Sequence, residues 1–241
     1  MNTRRLNYLK AMDIDVWVRK SYAERAADVS VALSEVPVQV NPKQDHSDSL
    51  AALTWDQLAD RVRQCSRCEL HSGRKQTVFG TGNLRAEWMI IGEAPGADED
   101  TQGEPFVGRA GQLLNSMLQA MGYPREQVYI ANVVKCRPPG NRDPKPDEVA
   151  SCSSYLARQI ELVNPRMILC LGRVAAQNLL NTDTPIGKLR GQLHHLGEKQ
   201  RPVVVTYHPA YLLRSPGEKR KAWQDLQFAL ANFALTKPRS A

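Results

Sequence analysis

"AEWMIIGEAPGADEDTQGEPFVGRAGQLL", residues 86–114, starts as an unbroken apolar run and ends in the spacing of a helix. Between Gly92 and Leu114 it holds five glycines, two prolines and five acidic residues. A buried strand that empties into a glycine-rich turn and then a helix is the place where open α/β sheets bind their ligands. The turn does not spell G-x-G-x-x-G, and no G-K-[ST] of a phosphate loop follows it, which argues against nucleotide cofactors.

Outward from this stretch the chain alternates. "QVYIANVVKC", "RMILCLG" and "RPVVVTYHPAYLL" read as further strands, the last running into a loop. "TWDQLADRVRQC", opened by Thr54 as an N-cap, "GRAGQLLNSMLQAMG", closed by Gly122, "KPDEVASCSSYLARQIELVN", "RVAAQNLLN" and "KRKAWQDLQFALANFAL" read as helices. Four strands separated by helices predict an α/β fold with a central, mostly parallel four-stranded sheet covered on both faces. Burial on both faces explains why the strands lack polar alternation. "GEAPG", "ANVVKCRP" and "TYHPAYLLR" then fall at the carboxyl ends of strands, so three polar loops converge on one edge.

The bulk composition agrees with a globular protein. The chain has 241 residues, 42% hydrophobic and 24% charged, and no run near the roughly 18 apolar residues of a membrane helix. The start, "MNTRRLNYLKAMDIDVW", lacks the apolar centre of a signal peptide, and a cytoplasmic, membrane-free protein is expected. A net charge of +7 favours polyanionic partners, nucleic acid above all. Residues 1–29 form an N-terminal extension with helical spacing from about Arg4 to Lys20. Residues 30–49, "SVALSEVPVQVNPKQDHSDS", read as a linker, and residues 50–235 form the body.

Five cysteines in a cytosolic chain are poor candidates for disulfides. Cys65 and Cys68 form a C-x2-C pair, and Cys136 and Cys152 follow as C-x15-C, so that four thiolates are available to one metal site. Zinc and a [4Fe–4S] cluster both accept four thiolates, and spacing does not separate them. Cys170, inside "MILCLG", reads as a core residue.

Among the loop residues, His208 can donate to an anion or cap its own turn. Asn132, an amide at a strand end, can tie a loop or read a pyrimidine edge, since it offers a donor beside an acceptor. Phe106 can stack on a flat ligand or plug the core. The acidic group of Glu93, Asp98, Glu99, Asp100 and Glu104 can ligate a hard cation, orient a water, or form a solvated face.

From about Leu50 to Leu230 the chain resembles the family 4 uracil-DNA glycosylases, the iron–sulfur members of the uracil-DNA glycosylase superfamily. The resemblance is carried by "CSRCEL", "GEAPGADEDTQGEPFVGRAGQLL", "ANVVKCRPPGNRDP", the later Cys152 and "YHPAYLLR", in that order. It implies a three-layer α/β/α fold and a [4Fe–4S] cluster on Cys65, Cys68, Cys136 and Cys152. It implies that Phe106 stacks on a flipped-out uracil and Asn132 bonds its edge. Gly92, Ala94 and Gly96 would line the pocket, and His208 would stabilise the departing base. Glu93 and Glu99 match acidic positions, either of which would assist water. Leu212, Leu213 and Arg214 would press into the duplex. The activity implied is monofunctional hydrolysis of uracil from single- or double-stranded DNA, which initiates base excision repair; a nucleoid-associated location is expected, and a monomer is the default expectation.

Two other readings share the fold, a non-catalytic iron–sulfur DNA-binding module and a glycosylase preferring another deaminated base. The intact set Glu93, Phe106, Asn132 and His208 favours uracil excision over the binding module. "TRRLNYLKAMDIDVWVRKS" is loosely similar to the N-terminal peptide of the psi subunit of bacterial DNA polymerase III, which implies a clamp-loader contact through residues 4–20, with Leu6, Leu9, Ile14 and Trp17 on the docking face.

Overall fold

The computed structural model describes residues 50–236. The expected docking helix of residues 4–20 and the linker at 30–49 lie outside the described residues. Helix α1 (Trp55–Arg63) begins where Thr54 predicts. Thr54 Oγ1 accepts from Gln57 N, and Gln57 Oε1 accepts from Thr54 N at 2.9 Å, closing a capping box. A short helix α2 (Leu70–Gly73) follows.

The sheet contains β1 (Thr81–Gly82), β2 (Trp88–Gly92), β3 (Tyr129–Asn132), β4 (Met167–Leu171), β5 (Leu193–Leu196) and β6 (Arg201–Thr206), in the order β1-β3-β2-β4-β6-β5. The four expected strands are β2, β3, β4 and β6, and they form the parallel centre. The count of four is corrected to six, because β1 and β5 add antiparallel pairs at the two edges. β1 is two residues long and half-exposed, and β5 is half-polar "LHHL", so neither carries the apolar run of a doubly covered strand.

Helices α3 (Ala97–Gln102) and α4 (Arg109–Ala120) follow β2, and α5 (Pro146–Val163) follows β3. Helices α6 (Arg173–Leu180) and α7 (Ile186–Leu189) follow β4, and α8 (Pro209–Arg214) and α9 (Lys219–Leu235) follow β6. Successive strand residues point to opposite faces, and two cores result. Met89, Ile91, Ile168, Cys170, Val203 and Val205 pack with α1, α5 and α6 on one side. Trp88, Ile90, Met167, Leu169 and Val204 pack with α4 and α9 on the other. Cys170 is fully buried, as its sequence context implies. Among the described residues no helix is long and apolar enough to cross a membrane.

The register sets the functional edge. Gly92 pairs with Asn132, and Leu171 pairs with Thr206, so the parallel strands end together. The chain leaves this edge as Glu93, Val133, Gly172 and Tyr207.

Candidate active site

At that edge lies a cavity of about 360 Å³. Glu93, Ala94, Gly96 and Glu99 reach it from the loop after β2, Phe106 from the turn before α4, Asn132 from the end of β3, and His208 and Arg214 from the two ends of α8. Eight of the eleven catalytic and base-site residues expected from sequence therefore line one cavity.

Gly92 lies just beneath it. A Cβ there would sit 2.4 Å from Asn132 Oδ1 and 2.6 Å from Phe106 Cζ, so only glycine admits both side chains. Phe106 is 7% exposed and packs on the α4–α9 core while also lining the cavity, so stacking and plugging are compatible roles. Asn132 is 2% exposed, yet its Oδ1 has no hydrogen-bond partner among the described residues. It does not tie a loop through that atom. A buried amide oxygen left unpaired costs about 1–3 kcal/mol, which a ligand donor would offset.

His208 is the N-cap of α8, and its Nδ1 accepts from Ala210 N at 3.1 Å. The neutral ring therefore carries its proton on Nε2. Burial, reinforced by the Arg214 guanidinium, pulls the His208 pKa down to about 4. The ring is a neutral donor at physiological pH. Gly172, at φ +93°, lies close beneath it, where a Cβ would meet His208 Cβ at 2.9 Å.

The two candidate carboxylates separate by their partners. Glu99 Oε2 accepts from Gly96 N at 3.1 Å, while Oε1 accepts from Val107 N at 3.0 Å and Gly108 N at 3.2 Å. Glu99 thus closes the loop between β2 and α4. No donor reaches the Glu93 carboxylate among the described residues. Burial, together with the Asp143 carboxylate and against the Arg173 guanidinium, raises its pKa to about 7. A carboxylate poised near neutrality beside a cavity has the properties of a general base.

The segment "AYLLR" is not the loop expected. It forms α8, and Leu212 is 1% exposed in the core beneath it, so Leu212 is not free to enter a duplex. Leu213 is half-buried, and Arg214 is exposed at the cavity mouth.

Cys65, Cys68, Cys136 and Cys152 line a second cavity with Arg74, Lys135 and Tyr155. Arg74 Nη1 donates to Cys136 Sγ at 3.0 Å, and Lys135 N donates to Cys152 Sγ at 3.3 Å. Such donors suit sulfurs that carry negative charge. Burial pushes the Cys152 thiol up to about 12 and raises Cys136 and Cys68. Among the described residues no three His, Cys, Asp or Glu side chains gather as they would around a single metal ion.

Sequence reasoning did not find Asp143 and Arg173, an ion pair with N···O 2.5 Å whose charges both act on Glu93. It also missed the 3-10 turn Arg125–Gln127, whose Arg125 reaches back to the Phe106 turn. Both depend on contacts across 19 residues or more. The role of Glu99 carried only half of a local signal, since Glu99 sits three residues after the N-cap Gly96 and accepts from its N–H, but glycine has no side chain to return the bond and complete a capping box.

Residues 79–227 match the family model described as the uracil DNA glycosylase superfamily. A type-4 uracil-DNA glycosylase from Archaeoglobus fulgidus is 47% identical over 67% of this chain and 84% of its own length. Its counterpart from Thermotoga maritima is 47% identical over 66% of this chain and 82% of its own length. A type-5 uracil-DNA glycosylase from Pyrobaculum aerophilum is 30% identical over 66% of this chain and 83% of its own length.

Proposed function

The chain belongs to the uracil-DNA glycosylase superfamily, and on that premise we propose that its cavity takes a flipped-out deoxyuridine and hydrolyses the N-glycosidic bond. The observation that carries this reading is the convergence of Glu93, Phe106, Asn132 and His208, from four separate segments, on one cavity.

Phe106 stacks on the pyrimidine, and the unpaired Asn132 amide bonds its edge. As the bond from C1′ to N1 lengthens, its electron pair stays with uracil and the sugar becomes oxocarbenium-like. His208 Nε2–H donates to the carbonyl oxygen where that negative charge gathers. A neutral donor suits this task because it strengthens as charge develops and does not surrender its proton. Ionised Glu93 orients a water on C1′ and takes its proton, leaving an abasic sugar and free uracil. No amine attacks the sugar, so the strand stays intact until alkali is added. The exposed Arg214, with Lys219 and Arg220 at the start of α9, faces phosphates.

Cys65, Cys68, Cys136 and Cys152 would hold a [4Fe–4S] cluster. Their sulfurs share a cavity, and N–H donors from Arg74 and Lys135 meet two of them. The cluster would supply a structural cross-link. It would join the turn after α1, the loop after β3 and α5, and so fix the segment from Cys136 to Cys152, which carries Pro138, Asn141, Arg142 and Asp143 to the base pocket.

The test is base release from a labelled oligonucleotide with one uracil, for wild type, Asn132→Ala and His208→Ala. We expect alkali-dependent strand cleavage with the wild type. A loss of about 10²–10³-fold in kcat is expected for His208→Ala, the size found when one oxyanion donor is removed. Release undiminished in both variants would refute the assignment of the site.

A further inference from the structure

Phe106 can act as a platform only if its backbone holds the ring in place before a base arrives, which presupposes the stacking role of that ring in uracil excision. Its φ is +56°, in the left-handed region that a bulky residue avoids unless its surroundings impose it. One feature admits it and a second holds it. The first is Gly111, in the first turn of α4, where a Cβ would lie 1.8 Å from Phe106 O. That approach is open to glycine alone.

The second is Arg125, on the 3-10 turn 19 residues downstream. Its Nη2 donates to Pro105 O at 2.5 Å, and its Nη1 donates to Phe106 O at 3.3 Å and to Asn115 Oδ1 at 3.3 Å. One planar guanidinium thus grips two successive carbonyls of the turn and ties them to α4. Lysine offers a single ammonium in place of the fork and cannot match both carbonyls with the same rigidity. Arg125 is absent from the cavity lining, so it touches no base. Burial lowers its pKa, but the Glu104, Glu126 and Glu99 carboxylates act in the opposite sense and favour the charged form. Bonds from a charged donor to carbonyls are stronger than neutral ones.

We propose that Arg125 is a positioning residue for base recognition: its guanidinium locks the Pro105–Phe106 turn in the left-handed conformation that presents the Phe106 ring to the flipped-out base. The locked turn removes an ordering cost that would otherwise fall on the binding step.

A double-mutant cycle on the full-length, cluster-loaded protein tests this. Arg125→Ala, Arg125→Lys, Phe106→Ala and the double variant Phe106→Ala/Arg125→Ala are compared by kcat and KM for uracil release. Iron content and Tm serve as controls. Acting through Phe106, Arg125→Ala should lower kcat/KM about tenfold, mainly through KM, while adding less than about twofold in the Phe106→Ala background. Arg125→Lys should recover part of the loss. An equal loss in both backgrounds, or no loss in the wild-type background, overturns the proposal. If Phe106→Ala itself leaves kcat/KM unchanged, the stacking role fails and Arg125 positioning fails with it. If Arg125→Ala does not fold, Arg125→Lys keeps the charge, loses the fork and enters the same cycle.

Discussion

The base pocket and the cysteine cavity are built four residues apart on one segment, from Asn132 and Cys136, and they treat their polar atoms in opposite ways. In the pocket, Asn132 Oδ1, the Glu93 carboxylate and His208 Nε2–H meet no protein partner among the described residues. In the cysteine cavity the polar groups are closed. Cys136 and Cys152 accept N–H donors, and the buried Lys135 ammonium donates to Asn132 O at 2.9 Å and Gln159 Oε1 at 2.5 Å. An unpaired buried polar atom costs stability. In the function proposed above a substrate completes the open groups, while the closed groups serve the scaffold.

Exchanging damage between the two regions puts that contrast under the greatest stress. Glu93→Gln should lower kcat by about 10²–10⁴-fold, the usual range for a lost general base, with Tm and iron content unchanged. Cys152→Ser should do the reverse. It should lose the bound iron and lower Tm by about 10 °C or more, since each kcal/mol shifts a domain of this size by about 2–4 °C. Calorimetry and iron assay beside single-turnover kinetics read both arms. A Glu93→Gln protein that melts early, or a Cys152→Ser protein that melts like the wild type, would break the division.

A smaller effect sharpens the pocket side. The Glu93 pKa is raised to about 7, so below neutrality the group is protonated and cannot take a proton from water. The His208 pKa is lowered to about 4, so the ring stays neutral across the same window. Activity should rise about tenfold in kcat/KM from pH 6 to pH 8 as Glu93 ionises, with no further limb from His208 between about pH 5 and 8. In Glu93→Gln the residual rate should lose this rise. If the rise persists in Glu93→Gln, another group supplies it.

The contrast is only partly legible in the sequence. The parallel strands announce themselves, because burial on both faces leaves no polar alternation in "WMIIG" or "MILCL". The edge strands do not, since Thr81–Gly82 is too short to show a pattern. The four cysteines group by spacing, and all four line one cavity, but a bound cluster is not visible in either observation. Leu212 lies in a helix rather than a loop, and "HPAYLLR" does carry a helix-start signal, a proline directly after a capping residue. Arg125 leaves no local trace, because its value lies in two carbonyls far back along the chain. Chemistry-bearing residue types are visible in sequence, but whether each one is open or closed is a property of its neighbours.

Glu99 gives the smallest expected effect and the finest test of that distinction. It lines the same cavity as Glu93 and lies six residues away, yet its two oxygens are spent on three backbone N–H groups. Glu99→Gln keeps one acceptor oxygen and loses the charge, so some of those bonds weaken and an amide N–H₂ faces a donor. Bonds to charged acceptors contribute about 1.5–3 kcal/mol, and the partial replacement should cost about 1–2 kcal/mol, a fall of several degrees in Tm. The rate should change by no more than about threefold, because the pocket keeps its base and its donor. Thermal melts and uracil release measured on the same preparations decide it. A rate loss matching that of Glu93→Gln with no change in Tm would mean that Glu99 acts on the water after all. Hydrogen-bond closure would then fail to separate the scaffold from the machinery in this loop.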